Sequence, residues 1–292
     1  MPDIRRVVSG ALGSFIKTHP ESRANWLFIR VFMRLRDATV TREVRLPGNV
    51  RLACHFDSRY ETMVWLEQEE REDLALLRSL LSQGDAFIDV GANVGIWSLT
   101  AATIVGDTGK VLSFEPNETT FHRLTENIEL SGRRNIVSVN AAVAATNGSR
   151  SFYCAPEHNH SRLGENDESR SAQVDAFALD EYMNGDAVHG LKIDVEGGEL
   201  EVLEGAARIL QQNTPWVIVE YNGFYAGACA LSDWPVHRLL RRYGYRPYRI
   251  GGKGRLSASP LPESWSTRHY CNLLYRVDLS GPMGGDGRAE PV

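Results

Sequence analysis

The chain has 292 residues, 42% of them hydrophobic and 24% charged, with a formal net charge of −5. That balance supports a sizeable buried core and argues against wholesale disorder, and the acidic excess removes nucleic acid from the expected partners. The charge is uneven: residues 1–45 carry nine Lys and Arg against four Asp and Glu, so a basic end sits on an acidic body, a pattern shared by solvated faces and by surfaces that meet membranes or partners.

Residues 1 to about 40 read as two helices separated by Pro20. In the second, "NWLFIRVFMRLRDA", Arg30, Arg34 and Arg36 interrupt the apolar run. It is neither a spanning segment of ~18 apolar residues nor the core of a signal peptide, and a cytoplasmic location is expected. An amphipathic helix is predicted, with more large apolar side chains than one narrow face can hide. Burial on the domain or in a homo-oligomer through this helix is the expectation; a lipid surface is the remaining choice.

"TREVRLPGNVRLACHF" predicts a hairpin about Pro47-Gly48-Asn49. "EEREDLALLRSLLSQG" has leucines at helical spacing and stops at Gly84. An alternation then sets in: strand "AFIDV", helix "IWSLTAATIVG", strand "KVLSFEP", helix "ETTFHRLTENIELSG", strand "NIVSVNAAVA". After a break it resumes with strand "GLKIDVEG", helix "ELEVLEGAARILQQN", strand "WVIVEYN", helix "WPVHRLLRRYGY" and a last strand, "HYCNLLYRVDL". Strands apolar on both faces and alternating with helices predict a Rossmann-like, doubly wound, mostly parallel α/β sheet.

In the break, between Ser149 and Met183, "APEHNHSRLGENDESR" is polar and aperiodic; it is expected to be a loop or small ribbon over the active face. The predicted organisation is a helical extension over residues 1–45, the α/β domain over 46–279, and a disordered tail over 280–292. Cys54, Cys154, Cys229 and Cys271 are too far apart in sequence for a CxxC pair and are expected to be reduced thiols.

The most informative stretch is "FIDVGANVGIW". In a dinucleotide turn, G-x-G-x-x-G, the second glycine lets the backbone approach a pyrophosphate. Here Asn93 stands in its place, one residue before Gly95, and Asp89 ends the strand. A carboxylate there opposes a phosphate and suits a ligand with an ammonium group. Glu115, at the end of the next strand, can accept both hydroxyls of a ribose. A nucleoside with a positive end and no phosphate fits best, as in S-adenosylmethionine.

With "DVGANVG", "FEPN", "TEN", "VNAAVA" and above all "KIDVEGGELEVLEG", the chain resembles the FkbM family of S-adenosylmethionine-dependent methyltransferases from about Arg51 to Tyr248. The resemblance implies a class I methyltransferase domain that transfers a methyl group to a hydroxyl of a sugar, glycan or polyketide-type natural product. By that resemblance Asp89, Gly91, Asn93 and Gly95, with Ala92 between them, hold the methionine part, and Glu115 holds the ribose. Pro116, Asn117, Asn140 and Ala141 border the adenine.

Methyl transfer from a sulfonium requires an aligned acceptor and a destination for its proton. Asp194 and Glu220 end adjacent strands and are the candidate catalytic carboxylates; Asp194 is also placed to steady the cofactor charge. His158 and His160, in the polar break, are further candidate bases. Asp194 has a second reading as a helix cap. A divalent metal on Asp194, Glu220 and Asn222 is a weaker alternative, and no metal is assigned. The rival functions are a non-catalytic scaffold on the same fold and an NAD-dependent oxidoreductase, the latter opposed by Asn93 and Asp89.

Overall fold

The computed structural model describes residues 4–20, 22, 24–154, 162–163, 171–222, 229–267 and 269–277. Helices α1 (Ile4–Thr18) and α2 (Asn25–Leu35) lie on either side of Pro20. Strands β1 (Thr41–Leu46) and β2 (Val50–His55) pair antiparallel about a turn whose Gly48 and Asn49 have φ of 81° and 60°, the left-handed region that Gly and Asn tolerate best. A short helix unforeseen in the sequence, α3 (Arg59–Trp65), is capped by Ser58, whose hydroxyl accepts from Glu61 N. The leucine-spaced helix is α4 (Arg71–Leu80).

The alternation then folds as β3 (Ala86–Val90), α5 (Ile96–Val105), β4 (Lys110–Phe114), α6 (Glu118–Ser131) and β5 (Ile136–Val139). Next comes a small second sheet of β6 (Ala142–Val143), β7 (Gly148–Tyr153), β8 (Arg162–Leu163) and β9 (Ser171–Phe177), ordered β6-β9-β7-β8. The segment "NIVSVNAAVA" is therefore two strands in two sheets. It breaks at Asn140, whose side-chain amide donates to Glu115 O and Pro116 O.

The chain continues through α7 (Leu179–Met183), β10 (Gly190–Ile193), α8 (Glu199–Glu204), α9 (Ala207–Gln212), β11 (Trp216–Tyr221), α10 (Pro235–Arg242), β12 (Tyr245–Gly251), β13 (Arg255–Leu256) and β14 (Cys271–Val277). One helix expected over "ELEVLEGAARILQQN" is two. They part at Gly205, which packs so closely on the backbone of Ala144 that a Cβ would fall 2.2 Å from its carbonyl oxygen.

The main sheet has eight strands in the order β13-β12-β14-β11-β10-β3-β4-β5. β3, β4, β5, β10 and β11 are mutually parallel, and β14 runs antiparallel between β11 and β12. From β3 the chain winds outward through β4 to β5, then returns to the other side of β3 with β10. The order reverses between β3 and β10, which is where a doubly wound sheet opens a crevice at its carboxyl ends.

Successive strand residues point to opposite faces, and each face has its own core. Ile88, Val90, Leu191, Ile193, Val217 and Val219 pack with α8, α9 and α10. Phe87, Val111, Ile218 and Leu274 pack with the β1–β2 hairpin, α4 and α5. Each such side chain contributes roughly 1.5–3 kcal/mol by leaving water. A third cluster of Ile16, Phe32, Phe56 and Leu66 joins α1 and α2 to the segment around α3.

Among the described residues no helix is long and apolar enough to cross a membrane. Residues 280–292 lie outside the described residues.

Candidate active site

The site rests on the register of β3 and β10, in which Asp89 stands opposite Lys192. Lys192 Nζ lies 3.7 Å from Asp89 Oδ1 and 3.2 Å from Asp194 Oδ2, and it donates to Gly91 O at 3.2 Å. Asp89 is fully buried. Its Oδ2 accepts from Ser98 Oγ at 2.6 Å, and Ser113 Oγ donates in turn to Ser98 Oγ. Burial raises the Asp89 pKa against the lowering pull of Lys192. Burial also works against the Lys192 ammonium, but Asp194, Asp89 and Glu70 outweigh it and hold its pKa above the ordinary lysine range. The ammonium that Asp89 meets is thus the protein's own: Asp89 anchors Lys192 beneath the crevice and does not line it.

The turn after β3 runs through Gly91, Asn93 and Gly95, with φ of 78°, 51° and 93°. At Gly91 a Cβ would fall 1.8 Å from Asp194 O, so only glycine lets the turn touch the end of β10. Glu115, at the end of β4, accepts from Asn93 N through Oε2 and from Asn117 N through Oε1, both at 2.9 Å. The backbone donor that a dinucleotide turn offers to a pyrophosphate is here taken by a carboxylate of the protein. Burial pushes the Glu115 carboxyl up to about 7 despite those two N–H bonds.

Above this floor lies a cavity of about 390 Å³. Gly91, Ala92, Asn93, Glu115, Pro116 and Ala141 form one wall, and Lys192, Asp194, Glu196, Glu220 and Asn222 the other. Arg59, Tyr60, Glu69 and Glu70 border it from the α3 side, and Phe152 and Leu163 of the small sheet from the other. Six carboxyl groups line it together with Arg59 and Lys192, and their crowding and burial disfavour the charged form of several of them. Burial, reinforced by Asp194, pushes Glu196 up to about 8; burial with Asp194 and Glu196 pushes Glu220 up to about 9. Burial with Asp73 pushes Glu70 up to about 8. Crowding thus favours the protonated forms of Glu196 and Glu220, which can then donate hydrogen bonds, whereas both oxygens of Glu70 accept, from Trp97 Nε1 and the Tyr60 hydroxyl.

Asp194, Glu196 and Glu220 each bring one oxygen within 4.8 Å of the others, hard oxygen donors of the kind Mg2+ accepts. Glu196 thus stands in the cluster where Asn222 was expected, and Asn222 Nδ2 reaches Glu196 Oε2 at 3.5 Å. Asp194 does not cap α8: that helix starts after Gly198 without a side-chain cap. Gly95 opens α5 against Leu124. Asn117 caps α6 by accepting from Thr120 N at 3.1 Å. Asn117 and Asn140 stand behind Pro116 and Ala141 and do not line the cavity. His158 and His160 lie outside the described residues.

Sequence reasoning overlooked Lys192 and Glu70. Lys192 had a signal, a charge inside the otherwise apolar strand "GLKI", which requires buried counter-charges. Glu70 sits in the acid-rich run "EQEERED", which reads as a solvated helix start. It adopts φ of 60°, and its carboxylate accepts from Trp97 Nε1 at 3.0 Å and from the Tyr60 hydroxyl at 3.4 Å.

Fold and site together define a Rossmann-like enzyme whose crevice suits a positively charged nucleoside better than a dinucleotide. Comparison with known proteins gives the family. Residues 89–247 match the model of the methyltransferase FkbM domain. The hexuronic acid methyltransferase AglP of Haloferax volcanii is 31% identical over 208 residues, 66% of this chain and 82% of that protein. A probable cobalt-precorrin-6B C(15)-methyltransferase (decarboxylating) of Sulfolobus acidocaldarius is 34% identical over 76 residues, 26% of this chain and 40% of that protein. Among solved structures, the methyltransferase FkbM from Methylobacillus flagellatus matches with a TM-score of 0.44 at 16% identity, over 67% of this chain and 44% of that one. Aeropyrum pernix fibrillarin with bound S-adenosyl-L-methionine matches with a TM-score of 0.44 at 13% identity, over 83% of this chain and 84% of that one. The chain belongs to the FkbM methyltransferase family and is an S-adenosylmethionine-dependent methyltransferase.

Proposed function

We propose that the enzyme O-methylates a sugar hydroxyl, free or within a glycan, and that Asp194 receives the hydroxyl proton. The observation that carries this reading is the contrast between Asp194 and its neighbours. Asp194 lines the cavity with its side chain 29% exposed and paired to Lys192, whereas burial and like-charge crowding push Glu196 and Glu220 up to about 8 and about 9. Asp194 is thus the cavity carboxylate best placed to accept, while the two neutral carboxyls can donate to acceptor oxygens. The relative named for hexuronic acid supports a sugar acceptor.

S-adenosylmethionine supplies the methyl group on a sulfonium and departs as a neutral thioether. On our reading Glu115 accepts from the ribose with the lone pairs left by Asn93 and Asn117, Pro116 and Ala141 border the adenine, and Asp194 steadies the positive charge. Lys192 keeps Asp194 in place and supplies the cation beside it.

Incubating the enzyme with S-adenosylmethionine and panels of neutral sugars and uronic acids tests this by mass. A +14 Da product that survives mild alkali is the expected result. A product that loses the methyl group in alkali is an ester and replaces our reading with carboxyl methylation. Because Lys192 already supplies a cation, turnover is expected to survive EDTA; loss of activity restored by Mg2+ would assign Asp194, Glu196 and Glu220 to a metal.

A further inference from the structure

Helices α1 and α2 contain Arg5, Arg6, Lys17, Arg30 and Arg34 and no carboxylate, on a chain whose net charge is −5. Their inner faces are occupied. Ile16 and Phe32 are buried with Phe56 and Leu66, and Lys17 lies over the Trp65 ring and pairs with Glu67 at 3.1 Å, which leaves Arg30 and Arg34 as the exposed cations of α2. Their outer faces are not covered: Trp26 is 66% exposed, Val7 58% and Leu27 47%, with Val8 and Phe15 also exposed. Five of the eight large exposed hydrophobic residues among the described ones thus fall on this helical pair. On α2, Trp26 and Arg30 are four residues apart and Leu27, Arg30 and Arg34 recur at spacings of three and four, so apolar and cationic groups share one exposed face.

We infer that the α1–α2 pair docks on an anionic lipid surface, with Trp26 and Leu27 in the headgroup boundary and Arg30 and Arg34 on lipid phosphates. Apolar insertion and a basic patch are each weak alone and hold a surface together. Charge complementarity selects this occupant over a second copy of the chain. A two-fold contact would set the same carboxylate-free basic face against itself. The position has a consequence for the site: α3 stacks Trp65 on Phe32 at 5.8 Å and presents Arg59, Tyr60 and Met63 to the cavity, so one helix separates the docking pair from the cavity. The docking does not depend on the acceptor proposed above.

Sedimentation of the full-length protein with phosphatidylcholine vesicles, with and without phosphatidylglycerol, tests it. Binding to the anionic vesicles, weakened by salt, and little binding to the neutral ones is the expected result. W26E/L27E and R30E/R34E should each lower vesicle affinity by roughly tenfold or more, with melting temperature and S-adenosylhomocysteine affinity unchanged. A lipid-induced blue shift of tryptophan emission, absent in W26F, would place Trp26 in the boundary. No binding to either vesicle overturns the inference, as does binding without salt dependence. A wild-type dimer that W26E/L27E converts to a monomer in light scattering gives the face to a second copy instead.

Discussion

The two walls of the crevice are built on opposite plans. On the turn wall the polar groups answer one another: Glu115 holds Asn93 N and Asn117 N, and Asn140 holds the carbonyls of Glu115 and Pro116. On the wall formed by β10 and β11, carboxyl groups crowd together, and Glu220 Oε2 is buried without a hydrogen-bond partner among the described residues. Buried polar groups are ordinarily satisfied. One wall is thus finished before any ligand arrives, whereas the other keeps an instability that an acceptor can relieve, a trade common at functional sites.

This contrast can be broken at several points. Asp194→Asn keeps size but removes basicity. We expect kcat to fall by about 10²–10⁴, the range for one general base, with S-adenosylhomocysteine affinity nearly unchanged. A mutant with full turnover would remove Asp194 from proton transfer. Lys192→Met leaves Asp89 buried beside no cation, and we expect a loss of roughly 3–5 kcal/mol in denaturant unfolding. Adding Asp89→Asn should recover part of that loss; unfolding like the wild type in the single mutant would show that the pair does not hold the wall.

Glu115→Ala tests the finished wall. Calorimetry with S-adenosylhomocysteine should show binding weakened by roughly 2–3 kcal/mol, and unchanged affinity would put the ribose elsewhere. The dependence of stability on pH tests the unfinished wall. Glu196 and Glu220 have pKa values of about 8 and about 9 against an ordinary 4.5, so the folded state holds protons that the unfolded state releases. Their contribution is fully present below about pH 4.5 and is lost as pH rises through about 8 and 9. Glu220→Gln should therefore stabilise the ligand-free protein more near pH 8.5 than near pH 5, measured as the difference between the two melting shifts. Equal melting shifts at both would show that Glu220 ionises normally.

The turn wall was legible in the sequence because it is local. Gly91, Asn93, Gly95 and Glu115 sit on one strand–turn–helix–strand unit, and their φ values follow from residue type. The other wall depends on pairing across the sheet. That Lys192 meets Asp89, 103 residues earlier in the chain, follows from the register of β3 with β10, and the same ammonium also donates to Gly91 O. Glu70 reaches the site only because α3 and the start of α4 fold over the carboxyl ends of the strands. The split at Gly205 was hidden because Gly205 is read locally as a tolerated helix residue, and only its contact with Ala144 shows why the helix parts there.

The contact between Gly91 and the carbonyl of Asp194 divides what sequence drift can change in this enzyme. It joins main chain to main chain, so no exchange of side chains can retune the spacing between the cofactor turn and the strand end that carries Asp194. Phe152 and Leu163, on the small sheet, border the same cavity and carry side chains that can be exchanged. Acceptor preference can therefore diverge there, one substitution at a time, while the line of methyl transfer stays where the backbone put it.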